Sequence, residues 1–129
     1  MSEAEIMSFA ALYDPLPMHL DPILARESPL GVFCASGIHT LAIAQRALCD
    51  AVLKNTHVIA GGGIDRVRMC APVVPGDVLR VRVLVGRTWQ HPKKPCCGWI
   101  MLQIEVLRHD NYIVMNYELT LLVRRARST

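Results

Sequence analysis

The run Tyr13-Asp14-Pro15-Leu16-Pro17-Met18-His19-Leu20-Asp21 places an acid five residues before a histidine, with two prolines stiffening the path between them. Imidazole titrates at about pH 6.5, so it can move protons near neutrality. Further on, Cys34-Ala35-Ser36-Gly37-Ile38-His39 puts small residues at the start of a strongly apolar helical run. A helix N-terminus offers unpaired amides and the positive end of a dipole. Acid, histidine and helix N-terminus together are the parts needed to activate water beside a polarised carbonyl. Each also has a structural reading. An Asp before Pro commonly bonds its own backbone in a turn, and a single loop histidine is more often structural than catalytic.

The elements that must hold these groups are set by pattern. Ser2 caps a helix over about residues 3–12, Glu5 completing a capping box, with Ile6, Phe9, Ala10 and Tyr13 on one face. Asp14-Pro15 ends it, and residues 15–20 are expected to be extended. Asp21-Pro22 starts a short helix to about Arg26, Asp21 serving as its N-cap, and Ser28-Pro29-Leu30-Gly31 is a turn. From Gly37 to Leu53 the chain is apolar almost all round, which predicts a buried helix. His39, one turn in, reads as a core histidine.

The second half changes period. Strands are expected over 64–69, 78–88, 98–108 and 112–124. Leu79, Val81, Val83 and Val85 share one face of the second of these. Ile100, Leu102, Ile104 and Val106 share one face of the third, and Ile113, Met115, Tyr117, Leu119, Leu121 and Val123 one face of the last. Residues 89–95 form a loop and His109-Asp110-Asn111 a tight turn. Gly61-Gly62-Gly63 lacks the Gly-Lys-Ser/Thr and the following helix of a phosphate loop, so it reads as a bend into a strand. The whole predicts one α+β domain over residues 1–129, a curved antiparallel sheet wrapped around a central apolar helix.

Composition narrows the function. The chain is 52% hydrophobic and 19% charged, which excludes disorder. A mean hydropathy of +0.29 implies that the surface of one copy needs a partner. No run reaches the roughly 18 apolar residues of a membrane span. The acidic start Met1-Ser2-Glu3-Ala4-Glu5 lacks a signal-peptide charge pattern, so a cytoplasmic location is expected. Net charge is +3, with basic residues grouped at Lys93-Lys94 and at Arg124, Arg125 and Arg127. No aromatic-interleaved basic platform accompanies them, so nucleic acid is not expected. The five cysteines (Cys34, Cys49, Cys70, Cys96, Cys97) form no C-x-x-C pair and are expected as reduced thiols, with no metal.

These motifs resemble the MaoC-like dehydratases, the group that includes the (R)-specific enoyl-CoA hydratases on the hot-dog fold. Asp14-Pro15-Leu16-Pro17-Met18-His19 is similar to that family's Asp-x-Asn-Pro-x-His loop. Ala35-Ser36-Gly37-Ile38-His39-Thr40 resembles its Ala-Ser-Gly-x-His-Thr helix start, and Pro72-Val73-Val74-Pro75-Gly76-Asp77-Val78-Leu79 its Pro-Val-x-Pro-Gly-Asp-x-Leu turn. The likeness spans about residues 9–125. It departs at Leu16, where the motif has Asn. It departs again before the first helix, where longer relatives carry a strand, leaving a sheet edge open or differently covered.

The resemblance implies hydration of a trans-2-enoyl-CoA to a 3-hydroxyacyl-CoA at a site shared by two copies. Asp14 and His19 are the implied water-activating dyad, Asp14 as base and His19 supplying the proton. Gly37 is chosen for the enolate-stabilising amide, because glycine lets a ligand approach the backbone closely. Ser36 caps the helix or bonds His19, capping being the commoner role. Gly62 and Gly63 fall on the acyl-binding side, and Arg66, Arg68 and Lys93 are available for nucleotide phosphates. No cofactor is implied; coenzyme A arrives only as part of the substrate, acyl carrier protein being the alternative carrier. The expected assembly is a homodimer or dimer of dimers. An acyl-CoA thioesterase on the same fold would typically carry an acid on the central helix, which here has none before Asp50. A catalytically silent acyl-thioester-binding subunit is the non-enzymatic alternative.

Overall fold

The structure, a computed structural model, describes residues 1–125; Arg127 lies outside them. Helix α1 spans Glu3–Tyr13 and is capped by Ser2, whose Oγ accepts from the Glu5 amide at 3.1 Å. Ile6 and Ala10 are fully buried, whereas Tyr13, expected on the same face, is exposed. Residues 15–20 are not wholly extended. Pro17–Leu20 forms a single helical turn, α2, because Pro17 presets its first position and the His19 amide donates to the Leu16 carbonyl at 2.9 Å. Asp21 then caps α3 (Pro22–Glu27), accepting from the Ile23 and Leu24 amides at 2.9 and 3.1 Å.

Helix α4 spans Gly37–Ala51 and passes into a short 3₁₀ turn, Leu53–Asn55. Thr40, Ala44 and Leu48 make its buried stripe at four-residue spacing. The expectation of burial on all sides does not hold for one copy of the chain. Ile38 is 52% exposed, and Ala42 and Ala51 also face out, because the sheet covers only one flank of the helix.

Four strands follow among the described residues: β1 (Val58–Met69), β2 (Arg80–Gln90), β3 (Cys97–Leu107) and β4 (Ile113–Arg124). All neighbours are antiparallel, in the order β1-β4-β3-β2. The inward residues Leu102, Ile104 and Val106 of β3 meet Leu119, Tyr117 and Met115 of β4 in register. They close one cluster with Ala44 and Leu48 of α4. Full burial of side chains of this size stabilises the fold by about 1.5–3 kcal/mol each. An antiparallel sheet curved around one helix is the hot-dog arrangement.

The strand ends differ from expectation. β1 starts six residues earlier than the pattern suggested and runs straight through Gly61–Gly63, which are strand residues and not a bend before one. β2 continues through Trp89 and Gln90 because those residues pair with Trp99 and Gly98. Val85 shares the inner face with Val81 and Val83 but is 64% exposed, none of the described residues covering that end of the face.

Candidate active site

Three backbone bonds shape the loop that carries the acid and the histidine. The Leu16 amide donates to the Asp14 carbonyl at 2.8 Å, the His19 amide to Leu16, and the Asp21 amide to the Pro17 carbonyl at 2.9 Å. Leu16 takes part through its main chain, and its side chain is 45% exposed. The turn therefore closes without the amide side chain that the resembling motif carries there.

His19 is buried, and its Nδ1 lies 2.7 Å from the Cys34 carbonyl oxygen. A carbonyl only accepts, so Nδ1 carries the hydrogen and donates. In the neutral ring Nε2 is then the free base. It points toward Asp14 Oδ2 at 3.6 Å, a spacing too long for a direct hydrogen bond and suited to one oxygen held by both groups. Ser36 Oγ donates to the same Asp14 Oδ2 at 2.6 Å while accepting from the Ile38 amide at 3.2 Å. The fully buried serine thus caps α4 and holds the acid; it does not bond His19.

Asp14, His19 and Gly37 line one cavity of about 550 Å³, together with Met18, Ile38 and Met69. Most of its surface is apolar, and the polar groups converge at the α4 N-terminus, the pattern of a small-molecule site. Cys34 Sγ is 3.9 Å from His19 Nδ1. Burial pushes that thiol above its ordinary pKa, keeping it protonated and a poor nucleophile.

Other candidates lie elsewhere. Gly62 and Gly63 do not line this cavity. A Cβ on Gly62 would meet the Trp99 ring at 2.5 Å, and Gly63 lines a separate apolar space with Cys49, Leu53 and Ile64. Arg66 sits 3.6 Å from Glu118, and none of Arg66, Arg68 and Lys93 borders the cavity. His39 stacks on Phe9, ring centres 4.3 Å apart, as a core histidine would. Two features escaped the sequence: the Ser36–Asp14 bond, which spans 22 residues of chain, and Met69, whose orientation depends on a bulge.

Residues 1–96 match the family model of the MaoC like domain. The chain belongs to the MaoC-like dehydratase family. This MaoC-like domain is 30% identical over 125 residues to the uncharacterized protein YdeM of Bacillus subtilis, covering 97% of this chain and 87% of that one. Among solved structures it is similar to a MaoC-like dehydratase from Rhodospirillum rubrum. The TM-score is 0.92 and the identity 31%, over 99% of this chain and 87% of that one. An (R)-hydratase from A. caviae involved in PHA biosynthesis shares the fold of the MaoC-like domain. Its TM-score is 0.71 at 21% identity, over 94% and 86% of the two chains.

Proposed function

We propose that this protein reversibly hydrates a trans-2-enoyl-CoA to a 3-hydroxyacyl-CoA. The observation that carries the reading is the convergence of Asp14 Oδ2 and His19 Nε2, 3.6 Å apart, on a cavity that also holds the Gly37 end of α4.

A substrate water held between the two side chains gives one proton to His19 Nε2 as its oxygen bonds the β-carbon. The π electrons move toward the α-carbon, and charge develops on the thioester oxygen. The Gly37 amide at the first position of α4 donates to that oxygen. Nε2–H then returns the proton to the α-carbon, which balances the addition of one water. Asp14 accepts a hydrogen bond from the water's other hydrogen and stabilises the imidazolium between the two steps. The Nδ1–H tautomer supports His19 as the base and Asp14 as the orienting group, the reverse of the roles expected from the resemblance.

Two copies are the proposed working unit, in the cytoplasm. β1 pairs only with β4 among the described residues, so its other edge is open. Ile59 and Val67 on that strand and Ile38 on α4 are exposed, which suits a homodimeric contact. No helix of the described residues is long and apolar enough to cross a membrane. A thioesterase reading finds no support on α4, whose one acid, Asp50, is bonded to Arg46 at 2.9 Å on the exposed face.

The test is the absorbance of a conjugated enoyl thioester mixed with purified protein. Loss of absorbance without release of free thiol supports hydration. Thiol release supports a thioesterase, and neither outcome across several chain lengths supports a silent subunit.

A further inference from the structure

We infer that Met69 limits the substituent that the α-carbon of the acyl group can carry, a specificity role that rests on the hydratase reading. The placement of Met69 begins with a register fault in β1. Ile64 pairs with Leu119 and faces inward; Asp65 pairs with Glu118 and faces outward. Strict alternation would turn Met69 outward as well. Between Asp65 and Arg68 the strand instead carries one residue more than β4 does opposite, and Arg66 there has φ 54°. A bulge of this kind shifts the pleat by one residue and re-aims the side chains beyond it. Met69 consequently pairs with the buried Met115 and faces inward.

There its thioether lies against Gly37: a methyl group on Gly37 would overlap Met69 Cε and Sδ. The backbone just beyond is pinned, the Cys70 amide donating to the Val114 carbonyl at 2.8 Å. Met69 is also 64% exposed and lines the cavity that holds Asp14 and His19. The side chain therefore touches the helix start on one side and open cavity on the other.

When the thioester oxygen sits on the Gly37 amide, the α-carbon is one bond from the carbonyl carbon. A group packed on Gly37 is then packed beside the α-carbon. An α-hydrogen fits that space, whereas an α-methyl competes with the thioether for it. Methionine is flexible, so the discrimination is graded and not absolute.

The experiment compares kcat/KM for crotonyl-CoA and for its 2-methyl derivative in the full chain carrying Met69→Ala, Met69→Leu or Met69→Phe. Met69→Ala is expected to raise the ratio of branched to straight substrate by about tenfold, the scale on which one methyl group is usually discriminated. Met69→Leu should leave the ratio near the parent value, and Met69→Phe should lower it. An unchanged ratio in both Met69→Ala and Met69→Phe, with crotonyl-CoA still hydrated, overturns the role of Met69 alone. Failure of the parent chain to hydrate either thioester overturns the hydratase reading and this inference with it.

Discussion

Ser36 Oγ donates a 2.6 Å hydrogen bond to Asp14 Oδ2 and accepts one from the Ile38 amide, so a single hydroxyl joins the acid to the start of α4. The acid's position is thereby tied to the helix whose first amide, at Gly37, is proposed to donate to the thioester oxygen. A substitution at Ser36 acts on both. Ser36→Ala is expected to lower kcat/KM by about 10²-fold, the scale of an ångström-sized misplacement. Loss of the cap adds a stability cost of about 1 kcal/mol. Ser36→Thr keeps a hydroxyl and should recover part of the activity. Steady-state kinetics beside thermal melts separates the two effects, and an Ala variant with parent kcat would remove Ser36 from the site.

Gly37 and Met69 are predicted to be coupled. Gly37→Ala forces a methyl into the Met69 thioether, so it should impair activity and stability together. Adding Met69→Ala opens that space. The double variant is expected to be more stable than the two single effects summed, by about 0.5–3 kcal/mol of interaction energy. Chemical denaturation of the four proteins measures it; strict additivity would show that the two side chains do not meet.

His39 supplies a pH dependence of stability. Burial against Phe9 lowers its pKa below the ordinary value of about 6.5, and its Nδ1 has no partner among the described residues. The unfolded chain then binds the proton more readily than the folded one. This contribution is complete above about pH 6.5 and is lost as pH falls through the lowered folded value. Melting temperatures followed from pH 7.5 to roughly pH 5 should fall less steeply in His39→Leu than in the parent. An identical slope in both would contradict the assignment.

The open edge of β1 predicts a dimer in solution. Ile59→Lys places a charge on that exposed strand and should shift the chain toward monomer. Sedimentation velocity at micromolar concentration checks both statements. A fully active monomer would show that one copy completes the site.

Much of the fold is legible because β3 and β4 keep a period of two over most of their length: every inward residue named from Ile100 to Val106 is at least partly buried on one face. The alternation breaks only near Val114, where a register shift pairs Ile113 with Leu107, on the other face from Val106, and takes it off the face expected for it. The cap at Ser2 and the proline stop at Asp14 are local rules and hold locally. β1 is illegible for a physical reason. Three register shifts and three consecutive glycines break its alternation, so its start and the direction of Met69 depend on pairing with β4. Asp14, His19 and Gly37 are readable as a site from their types and their resemblance to a known loop. The Ser36–Asp14 bond is not, since Asp14 and Ser36 meet only once α1 and α4 are packed. The open flank of α4 escapes for the same kind of reason: apolar composition shows that the helix wants covering, not which chain covers it.

Asp14 and His19 are proposed to activate water together for addition to an enoyl thioester. The direct measurement is the rate of loss of enoyl-thioester absorbance with crotonyl-CoA for the parent, Asp14→Asn and His19→Ala, each shown to be folded. Positioned acid–base groups contribute about 10²–10⁴-fold. Both variants should therefore fall by at least about 10² relative to the parent, without thiol release in any of the three. Near-parent hydration by either variant would contradict the claim.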